Sequence, residues 1–257
     1  MKRVIDLNCD LGESYGAFKI GNDEKIMPHI TSANIACGFH AGDPMTIART
    51  VNLAKKKHVA IGAHPSYPDL LGFGRREMRL TQEEIKSYTI YQISALQGFA
   101  KAAGLTLQHV KPHGALYNTA ANDKETAKGI VEAAKTSSHN LIIYAPPKSM
   151  LAKVAAGAGL RVAHEFFADR NYNADGSLVS RKQAKAIIQE PRKVMERVRQ
   201  VVNEGTVLAV TGEAVNLGII HTICIHGDTP AAAKLTSSLK KSLTKAGISV
   251  KPTGSFI

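Results

Sequence analysis

The chain has 257 residues, 44% hydrophobic and 21% charged, which is enough for one large globular domain with its own core. Its formal net charge of +12 comes with only 5% aromatic residues and no Trp. Basic residues fall in short runs on helix faces, such as Lys55-Lys56-Lys57, which disfavours a nucleic-acid surface built on stacking aromatics. No apolar run approaches membrane-spanning length, and the start, Met1 to Asp6, meets an acid before any leader-type apolar stretch can form. Cys9, Cys37 and Cys224 make neither a disulfide framework nor a paired zinc spacing, so a reducing, cytoplasmic setting is expected, with no nucleic acid and no membrane as partners.

In chain order, Val4 to Asp10 reads as a strand whose alternation puts Asp6, Asn8 and Asp10 on one face, an unusual load of polar groups for a core. Ser32 to Ala36 is a second strand. It breaks at Gly38 and restarts at Asp43-Pro44, an N-cap followed by the first helical residue. Cys37, His40 and Asp43 sit in that turn, and the helix runs from Pro44 to Lys57. His58 to Pro65 gives the third strand and its exit, so His64 ends a strand as His40 follows one. Glycines beside Arg75-Arg76 suit an anion held by backbone N–H groups and guanidinium forks.

Thr81 with Glu84 forms a capping box at the head of a long helix. Leu105 to Val110 is a strand leading into Lys111 and His113, two residues apart and on one face. A helix over 123–138, a strand over 140–144, a short helix over 148–156 and a strand over 160–164 follow. His164-Glu165 opens like a helical zinc-protease motif, but Ala168 stands where its second His must be. Residues 180–203 read as largely helical with a break at Pro191, and 207–210 with 214–217 as a hairpin. Thr222 to Pro230 is the last strand exit, carrying His226 and Asp228, before a closing helix over 231–246.

Strands alternating with helices, and polar clusters just after the strands, predict a single domain over residues 1–257 built as an irregular, seven-stranded (β/α) barrel. Closing the sheet would bring strand-exit residues from distant sequence to one rim. The residues themselves leave several chemistries open. Asp10, His40 and His64, with Asp228, could hold zinc or manganese in a metal-dependent deacetylase or amidohydrolase acting on an N-acyl or sugar substrate. Cys37 or Cys9 could act as a thiol nucleophile, and a binding module without chemistry is a further alternative.

The blocks 6–13, 34–43, 62–65, 111–118 and 226–230 together resemble the LamB/YcsF family over nearly the whole chain, with Gly72 to Arg76 and Phe167 to Arg170 as further blocks in the same order. Ser66 and Ala184-Lys185-Ala186 depart from its pattern without touching a titratable candidate. The resemblance implies a barrel similar to the glycoside hydrolase and polysaccharide deacetylase group. It also implies ATP-dependent opening of the 5-oxoproline (pyroglutamate) lactam to L-glutamate, with 5-oxoprolinase subunits B and C as partners.

That chemistry requires activation of water, protonation of nitrogen and retention of anionic charge. Asp10 and His40 are the candidates for water activation, and His64 or His113 for proton donation. Arg75 and Lys111 are the candidates for holding phosphate or carboxylate, with Asn8, Asn34 and Asp228 as further substrate contacts. No phosphate-loop motif is present, so ATP is expected to be used through the complex, and a divalent metal remains an open alternative.

Overall fold

A computed structural model describes residues 3–188, 190–226 and 232–257. The elements are β1 (Val4–Leu11), α1 (Asp23–Ile26), β2 (Ser32–Ala36), α2 (Pro44–Lys57), β3 (Ala60–His64), α3 (Gln82–Ala102), β4 (Leu107–Val110), α4 (Gly114–Asn122) and α5 (Lys124–Ser137). They continue with β5 (Ile142–Ala145), α6 (Met150–Gly157), β6 (Arg161–Phe167), α7 (Pro191–Glu204), β7 (Thr206–Leu208), β8 (Ala214–Asn216), β9 (Thr222–Cys224), α8 (Ala232–Lys245) and β10 (Ser249–Val250).

Among the described residues, β1 to β6 and then β9 pair in parallel, and β9 returns to β1, closing a seven-stranded barrel. β1 shows why the closure holds. Leu7 packs outward among Val194, Val198 and Leu239 of α7 and α8, while Cys9 and Leu11 join the larger cluster under α2, α3 and α5. The alternate residues Asp6, Asn8 and Asp10 point inward, where Ser32, Asn34, Glu165 and Thr222 supply partners. The barrel interior is therefore polar and hydrogen-bonded, and the apolar core lies between strands and helices.

Local signals set the element ends. Asp43 caps α2 by accepting from the Thr46 N–H at 2.8 Å, with Pro44 in the first turn. Thr81 and Glu84 form the expected capping box of α3. The antiparallel β7–β8 hairpin forms as expected, within two residues at each end.

Residues 180–188 depart from expectation: helix α7 begins only at Pro191, which occupies its first turn, where a missing N–H costs nothing. The preceding segment turns instead around the buried Arg170, whose guanidinium donates to the carbonyls of Val179 at 2.6 Å and Ala186 at 3.3 Å.

Two further features follow from the closed sheet. Residues 253–257 cover the N-terminal mouth, with Thr253 Oγ1 2.8 Å from Tyr144 Oη, the Gly254 N–H donating to Gln108 and Arg161 donating to the Ile257 carbonyl. Gly62 lies beside His109 across β3 and β4, and a Cβ at residue 62 would stand 2.2 Å from the imidazole. Among the described residues, no helix is long and apolar enough to cross a membrane.

Candidate active site

The C-terminal ends of the strands surround a cleft of about 700 Å³, lined by Asp10, His64, Lys111, His113, Glu165 and His226 among others. These come from the ends or exits of β1, β3, β4, β6 and β9, so the closed sheet assembles them as the strand-exit pattern predicted. His40, from the β2 exit, is buried and stacks on His113 with ring centroids 3.9 Å apart. Asp228 lies outside the described residues.

At the floor, Lys111 Nζ is buried between two carboxylates, 2.8 Å from Asp10 Oδ1 and 2.9 Å from Glu165 Oε1. Burial alone would push the ammonium toward neutrality; Asp10 and Glu165 outweigh it and hold Lys111 charged, its pKa well above the usual range. Burial likewise works against the Asp10 carboxylate, but His64 and Lys111 hold its pKa well below the ordinary value. Tyr117 donates to Glu165 Oε2 at 2.8 Å and completes this floor.

Asn8 and Asn34 do not line the cleft; both are fully buried beneath it. The Asn8 amide donates to Glu165 and Thr222, and the Asn34 amide to Asn8 Oδ1 and Asp10 Oδ1, both at 2.7 Å. His109 Nε2 in turn donates to Asn34 Oδ1 at 2.7 Å. Each amide is thus fixed in orientation, and the asparagines position Asp10 and Glu165 instead of meeting a ligand in the cleft.

Above the floor stand three imidazoles. His64 Nδ1 lies 2.7 Å from the Lys111 carbonyl and His113 Nε2 2.9 Å from the Phe73 carbonyl. A carbonyl only accepts, so both ring atoms carry the proton. The remaining nitrogens, His64 Nε2 and His113 Nδ1, face each other at 2.9 Å. Glu13 Oε1 lies 3.4 Å from His40 Nε2 and 3.6 Å from His113 Nδ1, while His40 Nδ1 is buried without a hydrogen-bond partner. Burial, reinforced by the neighbouring imidazoles, keeps His40 and His113 well below the usual histidine range.

The loop after β3 is shaped to hold these rings. Phe73 has φ of +54° and Gly74 +63°, consecutive left-handed residues that turn the Phe73 carbonyl onto His113. A Cβ at Gly74 would come within 2.8 Å of His40 and 2.9 Å of His113, so only glycine passes between them. Arg75 lines the cleft and lies over the Phe73 ring at 4.9 Å, whereas Arg76 turns away to pair with Asp69.

The sequence reading missed Glu13, Tyr117, Glu165, Asp169 and His226 as site residues. Glu165 was legible by alternation, because it shares a strand face with Phe167, which also lines the cleft. The His226 Nδ1–Asp169 pair at 2.9 Å joins residues 57 apart and had no local signal. The thiols disfavour covalent chemistry: burial pushes Cys37 up to about 12 and Cys9 and Cys224 well above the usual range.

Glu13, His40, His64 and His113 form a buried cluster whose donor atoms lie within 4.8 Å of one another and could hold a metal ion. This set differs from the expected Asp10, His40 and His64: Asp10, whose Oδ1 accepts from Lys111 and Asn34, groups instead with Cys224 and His226. Carboxylate and imidazole donors suit a borderline divalent cation, and the orphaned His40 nitrogen shows that the cluster's hydrogen bonds do not close on themselves.

Comparison with known proteins places the chain. It is 52% identical over 253 residues to a Pyrococcus abyssi protein named as the A subunit of 5-oxoprolinase, covering 98% of this chain and 99% of the relative. A crystal structure of a lactam utilization protein from Thermus thermophilus superposes with a TM-score of 0.90 at 45% identity, covering 96% and 99% of the two chains. The catalytic domain of a peptidoglycan N-acetylglucosamine deacetylase from Eubacterium rectale shares the fold, with a TM-score of 0.51 at 11% identity over 98% and 89% of the chains. The LamB/YcsF family model matches residues 5–257, and the chain belongs to that family.

Proposed function

We propose that this chain is the hydrolytic subunit of an ATP-dependent 5-oxoprolinase, opening the 5-oxoproline lactam to L-glutamate with partner subunits B and C. The observation that carries the reading is a cleft with acid–base groups at its floor and cations at its walls. Asp10, His64 and His113 meet there, and Arg75, Lys148, Arg170 and Arg181 line it. Such a lining suits an anionic substrate and a phosphorylated intermediate. The relatives' name supports the substrate class.

A five-membered lactam is an unactivated amide. Phosphorylating its oxygen from ATP makes an imidate whose carbon water can attack. On this reading Asp10, held ionised by His64 and Lys111, acts as general base, with His40 as the second candidate for water activation. His64 or His113 returns the proton to nitrogen as the C–N bond breaks, leaving an acyl phosphate that a second water hydrolyses to L-glutamate and inorganic phosphate, and Arg75 holds phosphate or carboxylate. Lys111, locked between two carboxylates, fixes Asp10 and screens the negative floor. With no phosphate loop in this chain, phosphorylation falls to the partners.

Reconstitution tests this: the chain alone, the two partners, and all three together are assayed for glutamate and ADP. Coupled turnover is expected only from the complete set. Glutamate formed by the partners without this chain would remove its role, and full ATP-coupled activity of this chain alone would overturn the division of labour.

The buried donor cluster favours a second reading, hydrolysis of an N-acyl or sugar amide with a divalent cation held among Glu13, His64 and His113. A bound cation would polarise the amide carbonyl. Release of acetate from N-acetylated sugars, with no glutamate from the complete set, would select it.

A further inference from the structure

We infer that His64 Nε2, His113 Nδ1 and Glu13 Oε1 form a three-ligand site for one divalent transition-metal ion, and that His40, though part of the same cluster, is not a ligand. The tautomers come first. The Lys111 and Phe73 carbonyls claim the protons of His64 Nδ1 and His113 Nε2, which leaves a lone pair on each of the two nitrogens that face each other at 2.9 Å. Two lone pairs do not meet at that distance without positive charge between them, either a shared proton or a cation.

Three features favour the cation. Neighbouring ligands about 2.1 Å from one ion stand on the order of 3 Å apart when their bonds are perpendicular, close to the observed separation. Glu13 Oε1 lies 3.6 Å from His113 Nδ1 and brings an oxygen donor to the same point. Both imidazoles donate their far N–H to a backbone carbonyl, the outer-sphere arrangement that fixes ring orientation and raises ligand basicity.

Ring geometry excludes His40. Its plane is within 5° of that of His113, so an ion lying in the plane of one ring stands well out of the plane of the other. A ring bonds a metal through an in-plane lone pair, so the two cannot share one ion. His40 Nε2 instead faces Glu13 Oε1 at 3.4 Å. Asp10 Oδ2 comes within 3.5 Å of His64 Nε2, but Asp10 falls outside the group of mutually close donor atoms and sits instead with Cys224 and His226, its Oδ1 accepting from Lys111 at 2.8 Å and Asn34 at 2.7 Å. Two imidazoles and one carboxylate leave coordination positions open toward the cleft that His64 and His113 line.

The metal site lies in the same cleft as the lactam reading and, when occupied, takes His64 and His113 out of the proton-donor role, leaving proton return to Asp10 or His40; its test reads bound metal and is independent of turnover. The full chain, stripped with chelator, is titrated with Co(II) and followed by visible d–d absorption and by elemental analysis. One Co(II) per chain is expected, with affinity lowered at least tenfold in His64→Gln, His113→Gln and Glu13→Gln. His40→Gln and the surface variant His58→Gln should bind within threefold of the parent. Loss of binding in His40→Gln equal to that in His64→Gln would overturn the ligand assignment. Absence of stoichiometric binding by the parent would overturn the site in favour of a shared proton. The parent also provides a measurement independent of how the variants fold: its melting temperature should rise with Co(II), and no change would count against the site.

Discussion

In the lower half of the barrel, Asp6, Asn8, Asn34, His109 and Tyr144 are fully buried and tied together through hydroxyls and amides. In the upper half, Glu13, His40, His64 and His113 are also buried, yet a ring nitrogen of His40 has no partner and two imidazole nitrogens confront each other. Both regions cost desolvation free energy. The lower one recovers it through hydrogen bonds of its own, whereas the upper one does so only in part, through the carbonyls that accept from His64 and His113. The contrast teaches that burial of polar groups does not by itself mark function; an unfinished set of hydrogen bonds beside a cleft does.

Predictions can break this contrast. The largest effect is expected in the upper region: His40→Gln should lower lactam hydrolysis by the assembled enzyme about 10²–10⁴-fold. Its melting temperature should stay near that of the parent, because among the described residues the His40 side chain has one polar contact to lose, to Glu13. A large drop in melting temperature with intact turnover would reverse the roles of the two regions.

Lys111 sits at the boundary. Lys111→Met strips Asp10 and Glu165 of their shared cation and should cost about 3–5 kcal/mol of stability, read by denaturant unfolding. A loss below about 1 kcal/mol would show that the two carboxylates do not depend on it.

The lower region should reveal itself through pH. Burial first, then the Lys111 charge, lowers His109 to about 3, so it folds neutral. Its contribution is fully present above its unfolded value near 6.5 and is lost as pH falls toward 3. Between pH 7 and 5 that loss is about 2 kcal/mol. Asp6 acts in the opposite sense: burial raises it to about 6, so its contribution is lost as pH rises from 3.8 to 6. The stability difference between parent and His109→Gln should therefore shift against the parent on acidification. A pH-independent difference would mean that His109 is not held neutral. The smallest effect belongs to Tyr144→Phe, which removes the hydroxyl shared by Asp6, Ser32 and Thr253 and should cost about 1 kcal/mol with turnover unchanged.

The barrel was legible because each parallel strand announces itself by an apolar run and its exit by Gly, His or Asp. Asp10, His64, Lys111 and His113 follow that rule, and His40 with them. The rule places residues at a rim but not at a depth, so Asn8 and Asn34, expected as ligand contacts, lie beneath it. Glu165 resembled only a fragment of a protease motif, although its strand alternation already pointed inward. Residues 180–188 escape sequence reading because helical composition says nothing of Arg170, whose buried guanidinium gathers the carbonyls of Val179 and Ala186. Helix α4, starting at Gly114, is hidden inside a motif that stands out for its polar residues.

The bare Cα of Gly62 and the ring of His109 occupy one shared volume between neighbouring strands, which restricts the order in which these positions can change. A side chain gained first at residue 62 meets the imidazole at once. A ring lost first at residue 109 opens a gap above β3 and strips Asn34 Oδ1 of its donor, loosening the support of Asp10. Either single step costs packing or a hydrogen bond, so the two positions are physically coupled. Divergence at this point of the barrel then requires two near-simultaneous substitutions, or a background stable enough to carry the first.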